Sequence, residues 1–303
     1  MQMEGKQDRA YMQAIACLPP PRAAELALLD GQQQIEEVRL RVGWPPSVRT
    51  ASGEQQTVFA PVTAQELRET LSRATRYSVH SYAESLRHGF VTLGGGHRLG
   101  LCGTVAEENG QVIGVRGLSS VNLRVARQIT EVDEVIRSWI GAGAMQSVLV
   151  LSPPGFGKTT LLREWVRLVS EAGHPVAVAD ERGEIAALLD GAPQFALGRC
   201  TDVLENCAKK QAAFMLLKTM SPELIAFDEI TAPEDVEAVS LCAHCGTAVL
   251  ASAHAADVDD LCRRPLYRAL LELHVFERAV VITRENGKRC YRIQELEGKP
   301  CSN

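Results

Sequence analysis

Apolar positions along this chain change rhythm near its middle, and the change divides it. Residues 35–42 read I-E-E-V-R-L-R-V, a partial alternation that predicts a strand with one covered face, ended by Gly43 and Pro45-Pro46. Residues 48–50 and 57–59 predict two further short strands. Helical spacing over 8–18 and 22–29 is interrupted by Pro19 to Pro21. Thr63 followed by Glu66 marks a capping box for an amphipathic helix to about residue 76, and Ser81 with Glu84 repeats the signature before Gly89. Residues 89–127 then read as short strands broken by glycines, with Asn109-Gly110 as a two-residue hairpin turn.

Beyond a helix at 132–140 and glycines at 141–143 the rhythm is different. Continuous apolar runs at 148–151, 175–179, 224–227 and 247–251 alternate with helical segments after 158 and at 208–220, 233–245, 257–262 and 266–273. A hairpin at 279–283 and 289–294 closes the chain around Asn286-Gly287. Apolar strands without polar alternation, separated by helices, imply a mostly parallel sheet covered on both faces, with ligands at the strand carboxyl ends. The expected organisation is a smaller α+β domain over 1–128 and an α/β domain over 129–303.

The chemistry concentrates where the first of those runs meets its helix. Ser152, Pro153, Pro154, Gly155, Phe156, Gly157, Lys158, Thr159 and Thr160 form a strand, loop and helix junction of the phosphate-binding kind. Loop N–H groups and a helix N-terminus both face an anion there, and the helix dipole adds to the attraction. Lys158 can reach β- and γ-phosphates, and the Thr159 hydroxyl can take one Mg²⁺ position. The usual pattern begins with glycine, where this chain has Ser152.

The run at 224–227 ends in Asp228-Glu229, which suits a Mg²⁺-shell carboxylate followed by a residue that polarises water. Asp180, Glu181 and Arg182 end the preceding run on the same side of the sheet. His254 follows the run at 247–251, where a side chain can sense a γ-phosphate, and Arg263 and Arg264 are candidates for charge stabilisation. Together these residues predict binding of ATP with Mg²⁺, with Lys158, Glu181, Glu229 and His254 in catalytic roles and Arg182 among the phosphate contacts.

Composition narrows the partners. Net charge is −5, which argues against a general nucleic-acid-coating or membrane-coating surface. Of the 14 basic residues before position 131, 13 are arginine, the better side chain for gripping phosphate or carboxylate. The opening MQMEGKQDRAYMQ has charges of both signs and no apolar stretch, so no export signal is expected, and no apolar run is long enough for a membrane span. Nine cysteines in that setting are expected to stay reduced, and Cys242 and Cys245 lack the second pair a zinc site needs.

The motifs taken together resemble a known family. YSVHSYAESLRHGFVTLGGGHRLGLCGTVAEENG at 77–110, SSVNLRVAR at 119–127, SPPGFGKTTLLRE, ADERGEIA at 179–186, GRCTDVLENC at 198–207, MSPELIAFDEI at 220–230, ASAHA and RRPLYRALL carry the likeness. It is to the stage III sporulation protein AA family, which is similar to secretion and pilus ATPases of the RecA-like ASCE P-loop class. The resemblance implies a RecA-like domain in which Glu181 lies in the counterpart of an aspartate box and His254 in that of a histidine box. It implies that Arg124 and Arg127 reach nucleotide from the N-terminal domain. Arg199 and Asp202 fall in an RTD-like motif, with Cys200 inserted, and Thr231 stands where the family usually has glycine.

By the same resemblance the chain is a MgATP-hydrolysing motor, a homo-oligomer of hexameric type, in the mother-cell cytoplasm at the inner face of the membrane. Its partners would be membrane proteins of a stage III sporulation channel, including one like a type II secretion platform protein. A nucleotide-dependent assembly scaffold with little turnover is the alternative. A nucleic-acid-dependent RecA-like ATPase is the third reading, against which the acidic charge and the lack of aromatic-basic interleaving both speak.

Overall fold

The computed structural model describes residues 2–78, 82–108, 111–127, 134–142, 145–285 and 288–296. The expected turns at Asn109-Gly110 and Asn286-Gly287, the cap at Ser81, the helix start at Val132 and the joint at Gly143 lie outside them. The chain divides into two units, Met1–Arg127 and Gln128–Asn303.

The first unit runs α1 (Gln2–Ile15), α2 (Pro20–Leu26), β1 (Glu37–Arg41), β2 (Ser47–Thr50), β3 (Gly53–Gln56), α3 (Ala64–Ala74), α4 (Ala83–Arg87), β4 (Phe90–Thr92), β5 (Arg98–Glu108) and β6 (Gln111–Arg124). Its strands form one antiparallel sheet in the order β3-β2-β1-β6-β5-β4. In β1, Val38 and Leu40 are buried and join Tyr11, Ile15, Leu26, Leu67 and Leu123 in the core. Glu37, Arg39 and Arg41 take the alternate positions, as period-2 geometry requires. The capping box of α3 forms as expected, with Thr63 Oγ1 accepting from the Glu66 N–H at 3.1 Å and Glu66 accepting from the Thr63 N–H at 2.7 Å.

The strand expected at 57–59 is instead β3. Thr50 pairs with Gly53 across a two-residue connection, which sets the register early, and Val58 is left 98% exposed. Thr57 donates its N–H and hydroxyl to the Pro46 carbonyl and closes the hairpin.

The second unit runs α5 (Glu134–Ala142), β7 (Val148–Leu151), α6 (Lys158–Glu171), β8 (Val176–Asp180), β9 (Thr201–Glu205), α7 (Lys209–Thr219), β10 (Leu224–Glu229), α8 (Pro233–His244), β11 (Ala248–Ala253), α9 (Val258–Cys262), α10 (Pro265–Glu272), β12 (Arg278–Glu285) and β13 (Lys288–Glu295). The sheet order is β13-β12-β7-β11-β10-β8-β9, parallel throughout except for the β12–β13 hairpin. Every residue of β7, β8 and β11 is buried.

Alternation survives inside that burial. Leu149, Leu151, Ile225, Phe227, Val249 and Ala251 pack with α7, α8 and α10 on one face. Val148, Val150, Val178, Ala226 and Leu250 pack with α5 and α6 on the other. Two covered faces explain why the strands read as unbroken apolar runs. The edge strand β9 carries no such run, since its Asp202 is exposed and its other residues are half-buried, and apolar patterning does not find it. Cys242 is buried in the core. Cys262 is disulfide-bonded, which departs from the expectation that every cysteine is reduced.

Candidate functional site

Four parallel strands, β7, β8, β10 and β11, deliver their carboxyl ends to one edge of the second sheet, and the polar residues gather there. β7 ends at Leu151, and six residues separate it from the start of α6 at Lys158. The intervening loop turns at Gly155 (φ 77°) and at Gly157 (φ 101°), conformations that favour glycine. Ser152 has no positive φ, so its position does not require the glycine of the usual pattern. It is fully buried, and its hydroxyl donates to the Pro153 carbonyl at 2.9 Å. Pro154 and Gly155 are exposed, and Pro153, Phe156, Thr159 and Thr160 are half-buried.

Lys158 is buried with its ammonium donating to the Ser152 carbonyl at 3.2 Å and to His254 Nδ1 at 2.7 Å. His254 Nε2 lies 2.9 Å from Glu229 Oε2. An ammonium has donors only, so Nδ1 accepts and the Nε2–H donates to Glu229. The three side chains come from the start of α6 and the ends of β11 and β10 and form one chain. Burial holds the Lys158 ammonium below the ordinary lysine range, against the pull of Glu229 and Asp228.

Asp228 is buried beside this chain. Burial first, then the carboxylates of Glu184, Asp180 and Glu229, push its carboxyl up to about 7, opposed by Lys209. Among the described residues no group of three or more His, Cys, Asp or Glu forms a complete metal cage. An acidic pocket with one or two protein oxygens suits Mg²⁺, which keeps waters and substrate phosphates in its shell. Asp228 and Thr159 fit that role.

The segment after β8 is organised by Asp180 rather than by its neighbours. The fully buried Asp180 carboxylate accepts from the N–H groups of Glu184, Ile185 and Ala186 at 2.8, 2.9 and 2.7 Å and folds the loop back onto the strand. Glu181 is held by Lys209, which is itself buried and lies 3.5 Å from Asp235. Asp235 in turn accepts from the Thr231 and Ala232 N–H groups at 2.7 and 3.1 Å, so Thr231 sits in a helix cap that a side chain does not disturb. Arg182 is exposed. Arg163 packs over the Phe195 ring and donates to the Glu184 carbonyl at 2.7 Å.

Other expected residues fall elsewhere. Arg264 pairs with Asp260 at 3.0 Å, and Arg263 is exposed at the joint of α9 and α10. Arg199 and Asp202 are exposed at the β9 edge. In the first unit, Arg127 donates to the Ile35 and Gln32 carbonyls at 2.6 and 2.8 Å, and Arg124 is 65% exposed and 3.5 Å from Glu37.

Three residues near this site escaped sequence reasoning. Lys209 meets Glu181 only through the fold. Arg284 and Arg289 are cross-strand partners in β12 and β13, and both reach the loop. The expected hairpin of 279–283 with 289–294 held the signal for that pair, and the observed ladder sets Arg284 opposite Arg289.

With this geometry in place, comparison with known proteins is decisive. A family model described as sporulation stage III, protein AA, matches residues 25–298. The chain belongs to that family. The stage III sporulation protein AA of Bacillus subtilis (strain 168) is 38% identical over 89% of this chain and 90% of its own. The Arabidopsis thaliana protein SEEDLING PLASTID DEVELOPMENT 1 is 29% identical over 84% of this chain and 35% of its own length. Among solved structures, this family member resembles the Legionella pneumophila ATPase DotB with a TM-score of 0.57, at 12% identity, over 87% of this chain and 78% of that one. It resembles the pilus retraction motor PilT, solved with bound ADP, with a TM-score of 0.58, at 16% identity, over 86% and 79% of the two chains. At that identity the likeness is one of fold.

Proposed function

We propose that this protein hydrolyses ATP with Mg²⁺, and that it drives a transenvelope channel in sporulation. The observation that carries the catalytic reading is the hydrogen-bonded chain from Lys158 through His254 to Glu229 beside a phosphate loop. In this reading the loop N–H groups and the start of α6 hold the phosphates, and Lys158 turns from His254 to the β- and γ-phosphate oxygens. Glu229 accepts a proton from water as the water oxygen bonds to the γ-phosphorus. The bond from that phosphorus to the β–γ bridging oxygen breaks, its electron pair leaves with ADP, and inorganic phosphate is the second product. His254 orients Glu229 and reports the position of Lys158. Mg²⁺, held by Thr159 and Asp228, would neutralise charge on the β- and γ-phosphates.

The family supports the larger setting. We assign a hexameric homo-oligomer at the cytoplasmic face of the mother-cell membrane, with the membrane proteins of the stage III channel as partners, a type II secretion platform-like protein among them, and no nucleic acid. Among the described residues no helix is long and apolar enough to cross a membrane. Arg124 and Arg127 of the first unit, Glu181 and Arg182 keep their proposed site roles, with Glu181 acting through its pair with Lys209.

An assembly scaffold with little turnover is the second reading. It is favoured by the closed Lys158–His254–Glu229 chain, in which neither catalytic group is free. Steady-state ATP hydrolysis measured against protein concentration, alongside mass, separates the two. Specific activity that rises with assembly and falls by about 100-fold or more in Glu229→Gln is the expected result. Nucleotide-dependent assembly without turnover, even with the channel's membrane proteins added, selects the scaffold.

A further inference from the structure

The phosphate loop has two flanks, and the chain from Lys158 to Glu229 occupies one of them. In the sheet order, β7 lies between β11, whose end carries His254, and β12. On the β12 side stand two arginines. Arg284 and Arg289 are directly opposed in the β12–β13 ladder, so their side chains share a face of the hairpin.

Both are directed at the loop. Arg284 donates to the Gly155 carbonyl at 3.1 Å, and its guanidinium lies 5.0 Å from the centre of the Phe156 ring. The Arg289 guanidinium sits against Gly157: a Cβ on that residue would lie 2.8 Å from Arg289 Cζ. The bare glycine therefore does two things. It allows the left-handed turn, and it leaves room for a planar cation against the loop backbone.

The pair is electrostatically incomplete. Like charges directly opposed across two strands repel. Among the described residues no carboxylate forms an ion pair with either guanidinium. Several other arginines of the unit do have such a partner, as Arg167 has Glu164 and Arg264 has Asp260. Two arginines without a protein anion, packed against a loop built to hold phosphate, have the donor geometry of a bidentate phosphate grip.

We propose that the β12–β13 hairpin is a clamp for the diphosphate portion of the nucleotide. Arg289 contacts phosphate oxygens that ADP and ATP share, and Arg284 fixes the loop through Gly155 and Phe156. The side of approach selects those phosphates. Glu229 and His254 come from the β10 and β11 side, where the transferred phosphoryl group must lie, and the hairpin comes from the opposite side. The clamp rests on the nucleotide-binding reading and adds to it a cation that distinguishes nucleoside diphosphate from inorganic phosphate.

The test is calorimetric titration with ADP and with a non-hydrolysable ATP analogue, each with Mg²⁺, of the full chain and of Arg289→Ala, Arg289→Lys and Lys158→Ala. Arg289→Ala is expected to weaken both ligands by about tenfold and by the same factor, as loss of a charge-assisted hydrogen bond predicts. Arg289→Lys should recover part of that loss, because it keeps the charge without the fork. Equal affinity of Arg289→Ala and the unaltered chain for ADP overturns the clamp while leaving nucleotide binding intact. A loss confined to the ATP analogue places the contact on the γ-phosphate and overturns it too. If the unaltered chain binds neither ligand, nucleotide binding itself fails. Should Arg289→Ala lose its melting transition, Arg289→Lys decides: several-fold weaker ADP binding supports the clamp, and unchanged binding overturns it.

Discussion

The two sheets of this protein use charge in opposite ways. In the first unit, charges spread across an open sheet face and neutralise one another. Arg39 pairs with Glu37 at 2.7 Å, Arg41 with Glu54 at 2.7 Å, and Asn122 donates to Glu37 at 3.2 Å. In the second unit the four central strands β7, β8, β10 and β11 carry no charge along their length, and the charges stand where they end. Asp180, Asp228 and Glu229 close β8 and β10, and His254 follows β11. An antiparallel sheet with one wet face can hold ion pairs anywhere along that face. A sheet covered on both sides can place them only where the strands run out, so its polar groups converge. Burial, with the converging carboxylates of Glu184, Asp180 and Glu229, raises the Asp228 carboxyl to about 7, whereas Arg41 and Ser47 hold the Glu54 carboxyl down at about 2.

The comparison breaks most visibly at Lys209. Its side chain is 3% exposed and lies between Glu181 and Asp235. Lys209→Met leaves the buried Asp235 carboxylate without its cation and should lower unfolding free energy by about 3 kcal/mol, measured by denaturant titration. A change below about 1 kcal/mol would mean that the convergent charges are as loosely coupled as those of the first unit.

A smaller effect sharpens the same contrast through pH. Burial, with Asp180 adding repulsion, pushes the Glu205 carboxyl from 4.5 up to about 7, against the N–H of Leu188. A carboxyl raised on folding favours the protonated native state. Its contribution is fully present below 4.5 and lost as pH rises through 7. The melting temperature of the unaltered chain should therefore fall more steeply between pH 5 and 8 than that of Glu205→Gln. The difference corresponds to about 1–2 kcal/mol after allowance for the part of the group that water screens. Parallel melting curves for the two proteins would remove the convergent field from the account.

The smallest effect belongs to the first unit. Glu54→Gln breaks the contacts to Arg39 and Arg41 on a wet face and should cost less than about 1 kcal/mol at neutral pH. The Glu54 carboxyl is depressed on folding, so its contribution is present above 4.5 and lost as pH falls toward 2. The acid limb of the stability profile, followed by circular dichroism, is where unaltered and variant proteins should converge.

Legibility in the sequence followed burial. β7, β8, β10 and β11 could be read because full burial requires apolar residues without a break. The capping box of α3 could be read because its partners are three residues apart. β9 could not, since TDVLE at an edge is half wet and has no distinctive period. β3 was displaced from the expected position because a hairpin register, not β-propensity, decides where a partner strand begins. Among the site residues, Asp180 was placed at a strand end without any sign that it would accept three backbone N–H groups from the residues that follow it.

By itself the sequence determined the junction of β7, its glycine turn and α6, because strand, turn and helix are contiguous and the turns at Gly155 and Gly157 are local. It also determined that acids would stand at the ends of apolar strands, because charge cannot remain inside a doubly covered sheet. Only the tertiary structure decided which of those ends meet. Lys158 and His254 are 96 positions apart, and Arg284 and Gly155 are 129 apart. Both contacts arise from strand order, with β11 on one side of β7 and β12 on the other. Strand order is settled by the packing of whole faces against helices, a property no short stretch of chain contains.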